Sequence, residues 1–184
     1  MKLKKICFLL MLGIFLTSCK FNCSAGFDSG GQKVKPVTSE DKTSLSGAII
    51  KNDIEIEVAS VKLSEAYLLD SYENELTENI ANLGEKIYLV IKTDTGWVKE
   101  NNKSYIGASE RISTAEGKVI LDAPDIFKDY EATGLPADKA NAISLSVRIT
   151  EADPGVENFV VQFRIWDKIG KGEIKGKYKF RIRK

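Results

Sequence analysis

The stretch GEIKGKYKFRIRK, Gly172 to Lys184, decides the fold. From Lys175 onward every second residue is basic: Lys175, Lys177, Lys179, Arg181 and Arg183. Ile174, Tyr178, Phe180 and Ile182 hold the opposite parity. A period of two marks an extended strand with one solvated face and one core face. Same-face residues lie about 6.6 Å apart along a strand, so the five cations would span about 27 Å.

Working outward, Asn158–Trp166 alternates in the same way and pairs with this strand across the turn Asp167–Gly172. It adds Arg164 to the basic face, beside Gln162 and Trp166. Ile143, Leu145, Val147 and Ile149 alternate with Ser144, Ser146 and Arg148, and Asp153-Pro154-Gly155 signals a turn. Ile54, Ile56 and Val58 alternate with Glu55 and Glu57. The parity then changes at Val61 and Leu63, which predicts a bulge near Ala59-Ser60. The continuous apolar run Ile87–Ile91 predicts a central strand covered on both faces. Trp97-Val98, Tyr105–Ile112 and Lys118–Leu121 predict further short strands. Leu69, Tyr72, Leu76, Ile80 and Leu83 follow helical spacing, which predicts a helix over 72–83 stopped by Gly84; a long inter-strand loop is the alternative. Seven or eight short strands with one short helix specify an all-β fold, a two-sheet antiparallel β-sandwich. It would be immunoglobulin-like or C2-like, without the Cys…Trp…Cys spacing of true immunoglobulin domains.

The N-terminus reads as a targeting segment. Lys2, Lys4 and Lys5 precede the apolar run Ile6–Leu16, too short to span a bilayer as a helix. The run ends in Leu16-Thr17-Ser18-Cys19, which resembles the bacterial lipobox and implies that Cys19 is the lipidated residue. Acyl chains contribute about 0.8 kcal/mol per buried methylene, so two or three make a durable anchor. Lys20 to Gly47 is rich in Ser, Gly, Lys and Asp with no apolar period, as in a flexible tether reaching about 30 Å. The expected organisation is signal 1–18, lipidated Cys19 with tether 19–47, and sandwich domain 48–184.

The charges nearly balance, with 27 basic and 26 acidic side chains, but they are segregated. Residues 158–184 carry nine Lys or Arg against two Asp or Glu. A face this basic can attract a sulfated glycosaminoglycan or anionic lipid heads. It can equally protect an edge strand from mispairing, or pair across strands with acids such as Glu55 and Glu57. Trp166 shares the parity of Arg164, which suits a binding hot spot, although a strand-end Trp more often caps the core.

Histidine is absent, which excludes Ser-His and Cys-His catalysis and His-based zinc sites. After Cys7 and Cys19 are set aside, Cys23 has no intramolecular partner for a disulfide. No carboxylate pair stands out for glycoside hydrolysis, and Ser39 and Lys42, an S-x-x-K match, lie in the tether. Neither an enzymatic activity nor a cofactor is expected. Asp122, Asp125, Asp129, Asp153, Glu157 and Asp167 lie in loops that could meet as in a calcium-binding C2 domain; solvated loop acids are the simpler reading, and no metal ligand is assigned.

The lipobox LTSC, the tether and the Lys/Glu/Asn/Ile-rich composition resemble the surface lipoproteins and antigens of spirochaetes, of the Borrelia type. The resemblance rests on about a quarter of the chain. It implies an outer-membrane lipoprotein, in that family often exposed to the host and sometimes an adhesin or complement binder, and it assigns no binding residues. The expected partners are the membrane, through Cys19, and a host glycosaminoglycan or protein, with no nucleic acid. Arg164, Lys175, Lys177, Lys179, Arg181 and Arg183 are the candidate ligand-binding face. The alternatives are a periplasm-facing structural lipoprotein and a calcium-dependent binding module.

Overall fold

The computed structural model describes residues 45–183. The signal segment, Cys19, Cys23 and most of the tether lie outside them.

A four-stranded sheet has the order β1 (Ile49–Ile50), β3 (Lys62–Leu69), β5 (Lys86–Thr95), β10 (Ala142–Arg148). A six-stranded sheet runs β2 (Glu55–Ala59), β12 (Glu173–Arg183), β11 (Asn158–Asp167), β7 (Ile106–Thr114), β8 (Val119–Ala123), and β4 (Ile80–Asn82) also pairs with β12. β6 (Lys103–Ser104) and β9 (Leu135–Pro136) form a short ribbon leading into α1 (Ala137–Ala140). The pairings are antiparallel except β1 with β3 and β4 with β12. The fold is the expected all-β, sandwich-like one.

The core follows from strand parity. Leu63, Ala66, Leu68, Ile87, Leu89, Ile91, Ile143, Leu145 and Val147 point inward from one sheet. Val58, Ala108, Ile112, Phe159, Val161, Phe163, Ile165, Ile174, Tyr178, Phe180 and Ile182 meet them from the other. Phe159 and Phe180 stack with centroids 5.5 Å apart. Gly176 also takes an inward position. A Cβ there would strike the Glu55 carbonyl and the Phe163 ring, so the missing side chain lets Phe163 fill the space.

The hairpin of β11 and β12 forms in the expected register, from Asn158 opposite Arg181 to Trp166 opposite Glu173. β12, however, is no edge. β2 covers its first half, from Glu173 to Lys177, and β4 covers Arg181 to Arg183. Asn79 bridges the gap between them: its side-chain amide donates to the carbonyls of Lys179 (2.9 Å) and Asn52 (2.8 Å), and its own carbonyl accepts from Arg181 N–H (2.8 Å).

Four expectations are corrected. The helix over 72–83 is absent. Asp70 Oδ1 accepts from Tyr72 N–H (2.8 Å) and Asn74 N–H (2.9 Å), folding a tight turn. Asn52 accepts from Leu68 N–H and donates to the Leu76 carbonyl, and Ile80 enters β4. Tyr72 is 80% exposed. The parity change after Val58 is not a bulge within one strand: at Ser60 (φ +57°) the chain leaves one sheet for the other. A register shift does follow, between Leu63 and Glu65. β5 is covered fully on one face only, with Tyr88, Val90 and Lys92 half-buried on the other. Trp97-Val98 opens no strand; Trp97 is buried and its indole N–H donates to Thr93 Oγ1 (3.0 Å).

One core position is a carboxylate. Glu110 shares inward parity with Ala108 and Ile112, lies opposite Phe163 on β11, and is 3% exposed. Its Oε1 and the buried Tyr178 hydroxyl find no hydrogen-bond partner among the described residues. Burial pushes the Glu110 carboxyl from 4.5 up to about 7. Burial, and then the Glu110 charge, push the Tyr178 hydroxyl up as well. Between these two carboxyl values the folded chain holds a proton that the unfolded chain has lost, so stability falls as pH rises through that window. The expected loss is about 3 kcal/mol. Urea midpoints at pH 5 and pH 8 should therefore differ in the wild type and converge in Glu110→Gln; equal wild-type midpoints would contradict the burial argument.

Candidate functional site

The sequence-predicted cations all lie on the outer face of the six-stranded sheet. β12 projects Lys175, Lys177, Lys179, Arg181 and Arg183 outward, because Ile174, Tyr178, Phe180 and Ile182 occupy the core side. β11 sets Arg164 beside Lys175, Gln162 beside Lys177 and Val160 beside Lys179. β7 extends these rows with Ser109, Arg111 and Ser113.

The register divides this face in two. Lys175 lies opposite Glu57 and Lys177 opposite Glu55, and both pair, at 3.5 Å and 2.9 Å. Arg164 Nε donates to Glu173 Oε1 at 2.6 Å. The pairs are solvent-exposed, so each stabilises by about 1 kcal/mol or less, but they cancel charge. Lys179, Arg181 and Arg183 are exposed and form no ion pair among the described residues. Their strand neighbours are Val160, Asn158, Ile80 and Asn82, none of them charged. The basic stripe is thus neutralised at one end and left cationic at the other.

Trp166 faces outward, as its parity with Arg164 indicated. The core-capping role belongs to Trp97 instead. The Trp166 indole lies flat over Gly107, where a Cβ would overlap the ring, and the Arg164 guanidinium covers it 4.9 Å from its centroid.

Four of the six loop acids are engaged locally. Asp167 is 6% exposed and accepts from Val98 N–H (2.6 Å), Ile169 N–H (3.0 Å) and Gly170 N–H (2.9 Å), fixing the β11–β12 turn. Burial pushes the Asp125 carboxyl up, but Lys168 at 2.7 Å and the backbone N–H groups of Ala108 and Phe127 outweigh it and hold it below its ordinary value. Asp122 faces Arg111 at 3.9 Å, and Asp153 accepts from Lys118 at 2.7 Å. Among the described residues no three acids converge to hold a metal ion.

A second candidate is a depression of about 320 Å³ on the four-stranded sheet, lined by Ile49, Lys51, Glu65, Tyr67, Leu69, Glu73 and Glu75. Its lysine is already paired, Lys51 with Glu75 at 2.7 Å, and Glu65 is bound by Lys92 at 2.8 Å. The Lys179–Arg183 face is the stronger candidate.

The parity of Glu110 with Ile106, Ala108 and Ile112 is the signal in the sequence that marks it as inward-facing.

No family model matches the chain, and no curated protein matches it. Among solved structures it is similar to the C-terminal domain of wzt, with 11% sequence identity and a TM-score of 0.43, over 79% of this chain and 86% of that one. A similarity this distant bears on neither ligand nor partner. Among the described residues, no helix is long and apolar enough to cross a membrane.

Replacing Gly107 by Val should lift the indole off the sheet. The expected result is a loss of about 1–3 kcal/mol and a red shift of Trp166 emission, read by fluorescence during denaturation in a Trp97→Phe background. An unshifted spectrum would mean that the ring is not seated on Gly107.

Proposed function

We propose that this chain is a lipid-anchored surface lipoprotein of the outer membrane, acting as a non-catalytic binding module for an anionic ligand of the sulfated glycosaminoglycan class. The supporting observation is the run Lys179, Arg181, Arg183: three exposed cations on one rigid strand, held at alternate positions and unmatched by described acids. Alternate cations lie about 6.6 Å apart, a spacing suited to a repeating polyanion. Arg164, Lys175 and Lys177 flank this run; because their acids already accompany them, they contribute less net field. Anchoring at Cys19 rests on the lipobox-like LTSC and the tether that follows.

A periplasm-facing structural role is the second reading, favoured by the apolar exposed residues Val119, Ile120 and Leu121, which suit contact with protein better than with a polyanion. A calcium-dependent module finds no support beyond the presence of loop acids.

The test is retention of the purified chain on heparin across a salt series. Changing Lys179, Arg181 and Arg183 together to Ser should abolish retention near physiological salt. A charge-neutral change of Lys175, Lys177, Glu55 and Glu57 together to Ser should leave the elution point nearly unchanged. Elution should move steeply with ionic strength, since the attraction is screened Coulomb. Retention that survives the triple change would overturn the site. Protease treatment of intact cells checks display: digestion is expected, and full protection would favour the periplasmic reading.

A further inference from the structure

At one end of the six-stranded sheet, the end away from β2 and β4, lies β8, which has β7 on one side and no described strand on the other. Val119, Ile120 and Leu121 are 42%, 46% and 46% exposed, so three consecutive apolar side chains stand in solvent on an open edge. The edge strand β10 of the other sheet presents Ser144, Ser146 and Arg148 outward instead. An open edge with apolar side chains is a template for another strand.

The sequence across this edge is Lys118-Val119-Ile120-Leu121-Asp122. Its pattern is antisymmetric in charge and symmetric in hydrophobicity. When two copies lie antiparallel about a two-fold axis at Ile120, Lys118 faces the partner's Asp122, Val119 faces the partner's Leu121, and Ile120 faces the partner's Ile120. The two-fold axis repeats each contact, giving two opposite-charge pairs around an apolar centre. A parallel arrangement would set Lys against Lys and Asp against Asp.

We propose that β8 is a homodimer edge, in which two copies of this chain join their six-stranded sheets through an antiparallel, self-complementary pairing of Lys118–Asp122. The existing partners of the two charges do not obstruct it. Lys118 reaches Asp153 at 2.7 Å and Asp122 lies 3.9 Å from Arg111, both in solvent, where exchange of partners costs little. In the β7–β8 ladder Ile112 lies opposite Leu121 and Ser113 opposite Val119, so Ile120, on the proposed axis, is the extra residue of β8 and the pairing is confined to a short segment around it. This surface is independent of the Lys179–Arg183 face, so either assignment can fail alone.

The test is sedimentation velocity of the purified full chain in non-ionic detergent, over a dilution series, with circular dichroism confirming the fold of each variant. The wild type should show a dimer that dissociates on dilution. Lys118→Asp and Asp122→Lys should each weaken the dimer about tenfold or more, because each creates two like-charge contacts. An equimolar mixture of the two variants should associate as a heterodimer more tightly than either alone, because mixing restores opposite charges at both positions. A wild type that stays monomeric at every concentration loaded would overturn the proposal. So would a mixture that associates no better than its components. A monomer whose outward-facing β8 amides, those not bonded to β7, resist hydrogen exchange would overturn it too, by showing that the edge is already covered within the chain.

Discussion

β12 cannot slip. A shift of one residue against its neighbours would turn Lys175, Lys177, Lys179, Arg181 and Arg183 into the core and expel Tyr178, Phe180 and Ile182. That penalty fixes the register against β11 on one side and against β2 and β4 on the other. It then dictates the charge pattern of the outer face. Because Ile174 must lie opposite Val58, Lys175 and Lys177 fall opposite Glu57 and Glu55; because β2 stops there, Lys179 and the arginines beyond have no acidic strand beside them. The division of the basic stripe into matched and unmatched halves is a by-product of core packing.

Polar side chains complete what the sheets leave open. Asn52 ties the turn before β2 to the end of β3, Asn79 spans the break between β2 and β4, and Asp167 gathers three backbone N–H groups at the β11–β12 turn. Each satisfies backbone groups that the sheet ladders leave unpaired. Glu110 is the opposite case. It enters the core with an oxygen unmatched and carries a proton well above the usual carboxylate range.

Strand alternation was readable wherever one face is core and the other water, as in Ile143–Ile149 and in the closing hairpin. Reading failed where tertiary contacts overrode local pattern. The helical spacing of Leu69 through Leu83 is real, but Asp70, Asn52 and Asn79 offer that segment backbone bonds that a helix would forgo. The parity break near Ser60 was visible, yet a change of sheet and a bulge leave the same trace in one dimension. The six candidate cations were found together, because parity alone places them. Which of them are paired depends on cross-strand register, and no single strand contains that information.

The placement of β12 also bears on how the domain forms. Among the described residues, β2 and β4 pair in their sheet with β12 alone, and the Asn79–Lys179 bond closes a separation of 100 residues. β3, β5 and their neighbours can associate much earlier, over shorter loops. β2 and β4 must wait for β12 and meet the entropy of a long closure before any sheet contact rewards them. Pairings of such long sequence separation raise the contact order of the domain, which slows folding.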